Sequence, residues 1–307
     1  MTSSATPQFL QMTGIHEPSG VQQLPDGRFL VVEDEKDHPF SLVTVGSDGQ
    51  ISATSPGPGL FDWFDSFWKL DDLEGITIDK AGNIYAITSH SRDGDGTEKK
   101  SRDKLVRFRV EGDRLVGSQV VGHLKPALTQ AHRVLDMAVA VTDVKADGGF
   151  NIEALEFSAD QQRLLVGFRS PLADNRAIIA SIDNAAAMFD ADEPPRIAPA
   201  LITLDLDGDG IRSMAYISVL GGYLISSGPV ARQQVQFKVW FWNGDPDAPA
   251  RRVSVPGLPG FEHAEGISAA LIDGRQCIVI VSDDGSRQEG RFAQFLVLDA
   301  DRLQIDG

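Results

Sequence analysis

The sequence predicts an all-β protein, a β-propeller of about five four-stranded blades, with six blades as the alternative. Thirty glycines and sixteen prolines separate short apolar runs, and helical periodicity is scarce. A pattern of a polar, a small and an aliphatic residue opens an alternating strand five times. The five starts are Ser19-Gly20-Val21, Glu74-Gly75-Ile76, Glu153-Ala154-Leu155, Arg212-Ser213-Met214 and Glu265-Gly266-Ile267. They lie 55, 79, 59 and 53 residues apart, near the length of a four-stranded blade, so we expect one propeller domain over residues 1–307.

Each start is followed by the second strand of a hairpin, and that second strand ends in polar residues. The polar ends are Glu33-Asp34-Glu35, Ser89-His90-Ser91, Arg169-Ser170, Ser226-Ser227 and Ser282-Asp283-Asp284. In an antiparallel hairpin the start of one strand lies beside the end of its partner, so each repeat brings two polar clusters to the same rim. Five repeats therefore predict a polar ring at one mouth of the central channel.

The separation of 79 residues is the outlier, and a helical insertion over about residues 125–142 would explain it. Such a helix would start near Pro126, a residue favoured in the first turn, and would carry apolar side chains such as Leu128 and Leu135. A sixth, degenerate blade is the alternative for this segment. We also expect the segment from Phe9 to Met12 to complete the last blade, because ring closure leaves no open strand edge.

The formal net charge of −16 argues against nucleic acids and anionic membranes as partners, since both require basic surfaces. No segment approaches 18 consecutive apolar residues, which argues against a membrane span. The N-terminus has neither a basic start nor an apolar stretch, so we expect a cytoplasmic protein, with a mature chain cleaved from a signal peptide as the alternative. Cys277 is the single cysteine and lies in an apolar run, which predicts a buried, inert thiol.

Four segments carry a resemblance to a known family, and they are Leu73-Glu74-Gly75-Ile76, Ser89-His90-Ser91-Arg92, Gly149-Phe150-Asn151-Ile152-Glu153 and Gly167-Phe168-Arg169-Ser170-Pro171. In them the chain resembles a bacterial family of uncharacterised β-propeller proteins, distantly similar to esterase-like phytase and lactonase-type propellers. Gly210-Ile211-Arg212-Ser213 and Ala264-Glu265-Gly266-Ile267 follow in the same order, so the resemblance covers nearly the whole chain. It implies a propeller fold and supplies no established activity.

The glutamates Glu74, Glu153 and Glu265 occupy the same position of the repeat, so a closed ring would bring them together near the axis. Three ionised carboxylates cannot lie close together without compensation. In one interpretation the compensation is a Ca²⁺ or Mg²⁺ ion, whose oxygen ligands would come from Glu74, Asn151, Glu153, Glu265 and Asp283 or Asp284. In the other, Arg169 and Arg212 neutralise the glutamates in a structural ring of ion pairs.

The leading functional hypothesis is a metal-dependent hydrolase-like propeller that acts on a small ester, lactone or phosphoester. His90 would be the general base toward a metal-bound water, although a solvated loop histidine is the alternative. Arg169 and Arg212 would bind a substrate anion, with Ser89 and Arg92 as further substrate-binding residues. The alternative function is a non-catalytic propeller that binds a protein or a small ligand over the channel mouth.

Two further segments have alternative interpretations. Asp205-Leu206-Asp207-Gly208-Asp209-Gly210 matches the first half of a calcium-binding loop, but Tyr216 stands where such a loop needs a bidentate glutamate. A tight acidic turn is expected, with a weak surface Ca²⁺ site as the alternative. The aromatic loop over residues 61–68 is expected to pack on the ring, with an exposed binding patch as the alternative.

Overall fold

Five antiparallel sheets form the protein, seen in a computed structural model that describes residues 7–35, 37–45, 51–57, 66–144, 148–231, 237–261 and 263–307. In chain order the strands are β1 (Leu10–Gln11), β2 (Pro18–Gln23), β3 (Phe29–Glu33), β4 (Phe40–Val45), β5 (Ile51–Thr54), β6 (Leu73–Ile78), β7 (Ile84–Thr88), β8 (Leu105–Glu111), β9 (Arg114–Val121), β10 (Asn151–Phe157), β11 (Leu164–Ser170), β12 (Ala177–Ile182), β13 (Ile202–Leu204), β14 (Gly210–Ile217), β15 (Gly222–Gly228), β16 (Lys238–Trp242), β17 (Arg251–Ser254), β18 (Ala264–Ile272), β19 (Arg275–Ser282), β20 (Gln294–Asp299) and β21 (Gln304–Ile305). The helices of the described residues are α1 (Leu124–Ala131), α2 (Arg133–Val139) and α3 (Ala185–Asp190).

The sheets are the five blades of a β-propeller, with their strands in sequence order from the channel outward except for the outermost strand of the last blade, which is β1. Blades 1 to 5 begin with β2, β6, β10, β14 and β18. Each of these innermost strands contacts the innermost strand of the next blade, and β18 contacts β2, which closes the ring. The five predicted starts lie on these five strands, so the predicted propeller is confirmed with five blades and the six-bladed alternative is not observed.

Both chain ends add strands to blades that are already formed. β1 pairs with β20, with Leu10 opposite Phe295, so the N-terminal segment completes the last blade as predicted. β21 pairs with β17, with Ile305 opposite Val253, and gives blade 4 a fifth strand. This second pairing was not predicted, because a two-residue strand has no periodic pattern.

The predicted helical insertion is present as two short helices instead of one. His132, between α1 and α2, has an extended backbone (φ −135°, ψ 112°) that breaks the helical run. Leu128 and Leu135 are buried in the same cluster as Ile152 and Phe168 of blade 3. The insertion therefore packs on the side of the ring and accounts for the long separation of blades 2 and 3. No helix in the described parts of the chain is long and apolar enough to cross a membrane.

The core consists of five apolar clusters, each of which lies mainly between two neighbouring blades. Cys277 is buried in the cluster between blades 5 and 1, and burial raises the pKa of its thiol, as expected of an inert cysteine. From the aromatic loop, the described Phe67 is fully buried and stacks on Phe40, with ring centroids 5.9 Å apart. This part of the loop packs on blades 1 and 2, whereas residues 61–65 lie outside the described residues.

A close approach between neighbouring innermost strands explains the small residue of the repeat. At Gly75 of β6, an added Cβ would lie 2.7 Å from the backbone nitrogen of Leu155 on β10. At Gly266 of β18 it would lie 3.1 Å from the Cα of Gly20 on β2. The small residues at this position, which are glycine in three blades, Ala154 in blade 3 and Ser213 in blade 4, leave room for the next blade.

Candidate functional site

All five innermost strands have a β-bulge at the polar position of the repeat. In blade 2, Leu73 pairs with Thr88 and Gly75 with Ile87, so that Glu74 lies opposite no residue of β7. The same register shift skips Ser19, Glu153, Arg212 and Glu265 in the other blades. In blade 3 the bulge is double, because Arg169 of β11 is skipped as well. A bulge redirects the side chain of the extra residue, and here it brings one polar side chain per blade toward the axis.

These side chains line one cavity of about 210 Å³ at the channel mouth. Its described walls are Glu17, Ser19, Asp34, Asp72, Glu74, Asn151, Glu153, Arg169, Arg212, Glu265 and Asp283. The structure thus brings together the five residues predicted as metal ligands and the two predicted arginines. Among the described wall residues, seven have carboxyl groups and two are arginines, so the cavity is strongly acidic.

Glu153 lies at the centre of an ion-pair cluster. Arg212 Nη1 donates to Glu153 Oε2 over 2.6 Å, and Arg169 Nη1 donates to Oε1 over 3.2 Å. Arg212 Nη1 is also 3.5 Å from Glu265 Oε1. Burial by itself would raise the pKa of Glu153, but the charges of Arg212 and Arg169 more than offset it, and the pKa is lowered. For Glu153 and Glu265, the geometry is that of the arginine-neutralised ring.

Both arginines have further internal partners. Arg169 Nε donates to the carbonyl oxygens of Pro229 and Val230 at 3.3 and 3.2 Å. The Arg212 guanidinium lies 4.8 Å from the ring centroid of Phe237 in a cation–π contact. An anionic substrate would therefore have to compete with these contacts for either guanidinium.

Two other carboxyl groups of the cavity, those of Glu74 and Asp283, have no arginine partner of this kind within the described residues. No hydrogen bond or ion pair within the described residues reaches the carboxyl group of Glu74. Burial, and after it the charge of Glu153, raise the pKa of Glu74 well above its usual range. Burial likewise raises the pKa of Asp283 to about 8, with Glu265 and Glu17 adding to the rise. The pKa of Glu265 is also raised, mainly by burial.

The side-chain oxygen of Asn151 is buried and has no hydrogen-bond partner in the described structure. The residue is 3% exposed, and its Nδ2 donates to Glu153 Oε1 over 2.9 Å, whereas its Oδ1 has no partner. An orphaned buried acceptor is uncommon in native proteins and calls for an explanation such as an ion. No three His, Cys, Asp or Glu side chains of the described residues are grouped as a ready-made metal site.

The predicted base His90 does not lie at this cavity. Its side chain is buried, with Nδ1 2.8 Å from Thr88 O and Nε2 3.2 Å from Asp103 Oδ1. The backbone of His90 has a φ of 55°, which turns the chain just after β7. The imidazole lies beside Lys125 and Val139 of the insertion, and burial lowers its pKa. The sequence predicted the position of His90 at the end of a strand, but it did not predict the turn that directs the imidazole ring away from the axis.

Ser89 and Arg92 are likewise absent from the described walls of the central cavity. Ser89 Oγ donates to Asp72 in a buried contact. Arg92 bonds to Val139 O and Gly96 O at 3.3 and 3.1 Å and pairs with Glu98 at 3.2 Å. Arg92 does line a second cavity of about 460 Å³, which shares Asp34 and Asp72 with the central one. Thr142, just beyond α2, also lines this cavity, so residues that follow the insertion contribute to it together with loops of blades 1 and 2.

The segment from Asp205 to Gly210 is an acidic turn held by a lysine. Asp207 N donates to Asp205 Oδ1 over 3.1 Å. Lys238 Nζ lies 3.3 Å from Asp207 Oδ2 and 3.1 Å from Asp209 Oδ2. The ammonium group occupies the place between the carboxylates that a cation would need, which agrees with the expected tight acidic turn.

Comparison with known proteins gives a family and a set of distant structures. The profile of a family described as "Protein of unknown function (DUF3616)" matches residues 123–299. No curated protein matches the chain. A glucose dehydrogenase is 13% identical, with a TM-score of 0.48 over 96% of this chain and 100% of its own. The aldose sugar dehydrogenase of Streptomyces coelicolor, in its PQQ-bound form, is 13% identical, with a TM-score of 0.45 over 98% of this chain and 99% of its own.

A gluconolactonase from Xanthomonas campestris is also similar in structure. It is 13% identical, with a TM-score of 0.41 over 98% of this chain and 86% of its own. At this level of identity the likeness concerns the arrangement of strands, and the chemistry must be argued from the residues of the cavity.

Proposed function

We propose that this protein, which belongs to the family described as "Protein of unknown function (DUF3616)", is a cation-dependent hydrolase. Its active site lies at the channel mouth. A divalent cation, Ca²⁺ or Mg²⁺, binds in the central cavity. The substrate is a small ester, lactone or phosphoester, which occupies the central cavity and the adjoining one of about 460 Å³. That volume lies within the range of small-molecule sites in proteins.

The observation that supports this proposal is that an amide oxygen without a hydrogen-bond partner lies in the same cavity as carboxyl groups without a compensating charge. Oδ1 of Asn151 lacks a partner, and Glu74 has none within the described residues. Carboxylate and amide oxygens are the ligands that Ca²⁺ and Mg²⁺ prefer. A bound cation would also offset the burial that raises the pKa values of Glu74 and Asp283, since it favours their ionised forms.

The residues that fit the cation are Glu74, Asn151 and Asp283, with Glu265 beside them. Glu153 fits less well than the sequence suggested, because both of its carboxylate oxygens already accept hydrogen bonds from arginines. When bound, the cation supplies a Lewis acid that polarises a carbonyl or phosphoryl oxygen. None of the described wall residues is a histidine, so a proton acceptor at this cavity has to be a carboxylate.

The positions of His90 and of the two arginines favour the second candidate, a propeller that binds a ligand without catalysing a reaction. His90 lies outside the cavity walls, and Arg169 and Arg212 are held by Glu153. In this alternative the same acidic cavity binds its ligand, and the protein lacks the groups that would complete catalysis. The two candidates share the cation site and differ in turnover.

Calorimetric titration with Ca²⁺ and Mg²⁺ tests the site, and a panel of lactones, aryl esters and phosphomonoesters, assayed with and without chelator, tests turnover. We expect Glu74→Gln to weaken cation binding about tenfold or more, since it removes a charged ligand. The matched control is Asp207→Asn, which removes a surface carboxylate already paired with Lys238 and should bind the cation as the wild type does. Cation binding without turnover would select the binding function, and absence of cation binding would contradict the proposal.

A further inference from the structure

The amide group of Asn151 is held by Glu153, which is itself held by two arginines. The Glu153 carboxylate accepts hydrogen bonds from Asn151 Nδ2, Arg169 Nη1 and Arg212 Nη1 at 2.9, 3.2 and 2.6 Å. All four residues are at least nine-tenths buried. Charge-assisted hydrogen bonds between buried groups are stronger than exposed ones, because water does not compete for them. The carboxylate of Glu153 is therefore fixed in position.

A fixed carboxylate permits only one orientation of the Asn151 amide. A carboxylate can only accept hydrogen bonds, so the NH₂ group must face Glu153. The reverse orientation would place the amide oxygen against Glu153 Oε1, with two acceptors in contact. Oδ1 must consequently point away from Glu153, and it is this oxygen that has no partner within the described residues.

We infer that Arg169 and Arg212 are positioning residues, which act through Glu153 to present the Asn151 oxygen to the cation of the channel mouth. The inference rests on the proposed function for the identity of the ligand. It replaces the predicted roles of these residues: Glu153 orients a ligand of the cation instead of binding it, and the arginines hold Glu153 instead of binding substrate. Groups behind a metal ligand that fix its orientation typically change metal affinity 10- to 100-fold when they are removed.

A purely structural ion-pair cluster would stabilise the blades but would not act on the cation through Asn151. The variant Glu153→Asp separates these roles, because it keeps the negative charge and withdraws the carboxylate by one methylene. Glu156→Asp is the matched control, since it makes the same change on the same strand but outside the described walls of the cavity. Asn151→Ala and the double variant Glu153→Asp/Asn151→Ala complete a double-mutant cycle, and circular dichroism verifies that each variant is folded.

We expect calorimetric titration with Ca²⁺ to show about a tenfold or greater rise in Kd for Glu153→Asp and for Asn151→Ala. Glu156→Asp should remain within about twofold of the wild type. The double variant should bind no more weakly than Asn151→Ala, because Glu153 acts through the amide. Losses that add in the double variant would overturn the inference, as would a Glu153→Asp variant that binds like Glu156→Asp.

A second measurement needs no cation. In chelator, the side-chain NH₂ protons of Asn151 should exchange slowly with solvent in the wild type and about tenfold faster or more in Glu153→Asp, since a held amide is protected. Equal exchange in the two proteins would overturn the inference even if Ca²⁺ binds. Slow exchange in a wild type that binds neither Ca²⁺ nor Mg²⁺ would support the held amide and contradict the proposed function.

Discussion

Glu74 and Glu153 occupy the same position of the repeat and the same cavity, but their surroundings are opposite. Glu153 accepts hydrogen bonds from two buried guanidinium groups, whereas Glu74 has no such partner among the described residues. The pKa of Glu153 is accordingly lowered, although burial opposes this, and that of Glu74 is raised, first by burial. One substitution made at both positions therefore distinguishes a compensated carboxylate from an uncompensated one.

We predict that Glu153→Gln destabilises the metal-free protein by about 3–5 kcal/mol, since it removes the carboxylate charge that two buried guanidinium groups share. Glu74→Gln should be neutral or stabilising under the same conditions, because it removes an acid whose ionisation is opposed by its neighbours. Urea unfolding in the presence of chelator measures both free energies. Equal destabilisation by the two substitutions would show that Glu74 has a compensating partner in solution.

At the scale of strands, the tight packing of neighbouring innermost strands makes the small residue of the repeat a requirement. We predict that Gly75→Ala destabilises the fold by about 1–3 kcal/mol, because the new Cβ would meet the backbone nitrogen of Leu155 at 2.7 Å. The control is Gly57→Ala, where an added Cβ would have no neighbour within 4 Å. Thermal unfolding compares the two, and a fully stable Gly75→Ala protein would mean that blades 2 and 3 can separate at no cost.

The sequence identified these innermost strands because the requirement for a small residue, flanked by a polar and an aliphatic one, recurs in every blade. It could not identify the bulges, since a register shift depends on which residues of the partner strand face each other. The same limit explains His90. Its place after the second strand of blade 2 was readable, but its φ of 55° and its contact with Asp103 depend on the fold.

At the scale of the whole molecule, the acidic cavity makes the free energy of unfolding depend on pH. Asp283 has a pKa of about 8 in the folded protein, well above that of an unfolded aspartate, about 3.9. Between these values the folded state binds more protons than the unfolded state, so the free energy of unfolding falls as pH rises. Glu74 and Glu265 act in the same direction, since their pKa values are also raised. The lowered pKa of Glu153 has the opposite effect, because its contribution to the free energy of unfolding is lost as pH falls. This effect is confined to the acidic range.

We therefore predict that the melting temperature of the metal-free protein decreases from about pH 5 to about pH 8. Asp283→Asn should reduce this slope, because it removes the carboxyl group with the raised pKa. Saturating Ca²⁺ should reduce it as well, since a bound cation favours the ionised carboxylates. Differential scanning calorimetry across the pH range provides the measurement, and a melting temperature that rises steadily with pH would contradict the prediction.

The bulged position of each innermost strand also has an evolutionary consequence. Ser19, Glu74, Glu153, Arg212 and Glu265 are skipped by the strand pairing of their own blades. A residue that the strand pairing skips can change without altering the register of its neighbours. The five blades thus offer five positions around one axis at which a substitution leaves the strand register unchanged, so one architecture can present different chemistry at the channel mouth.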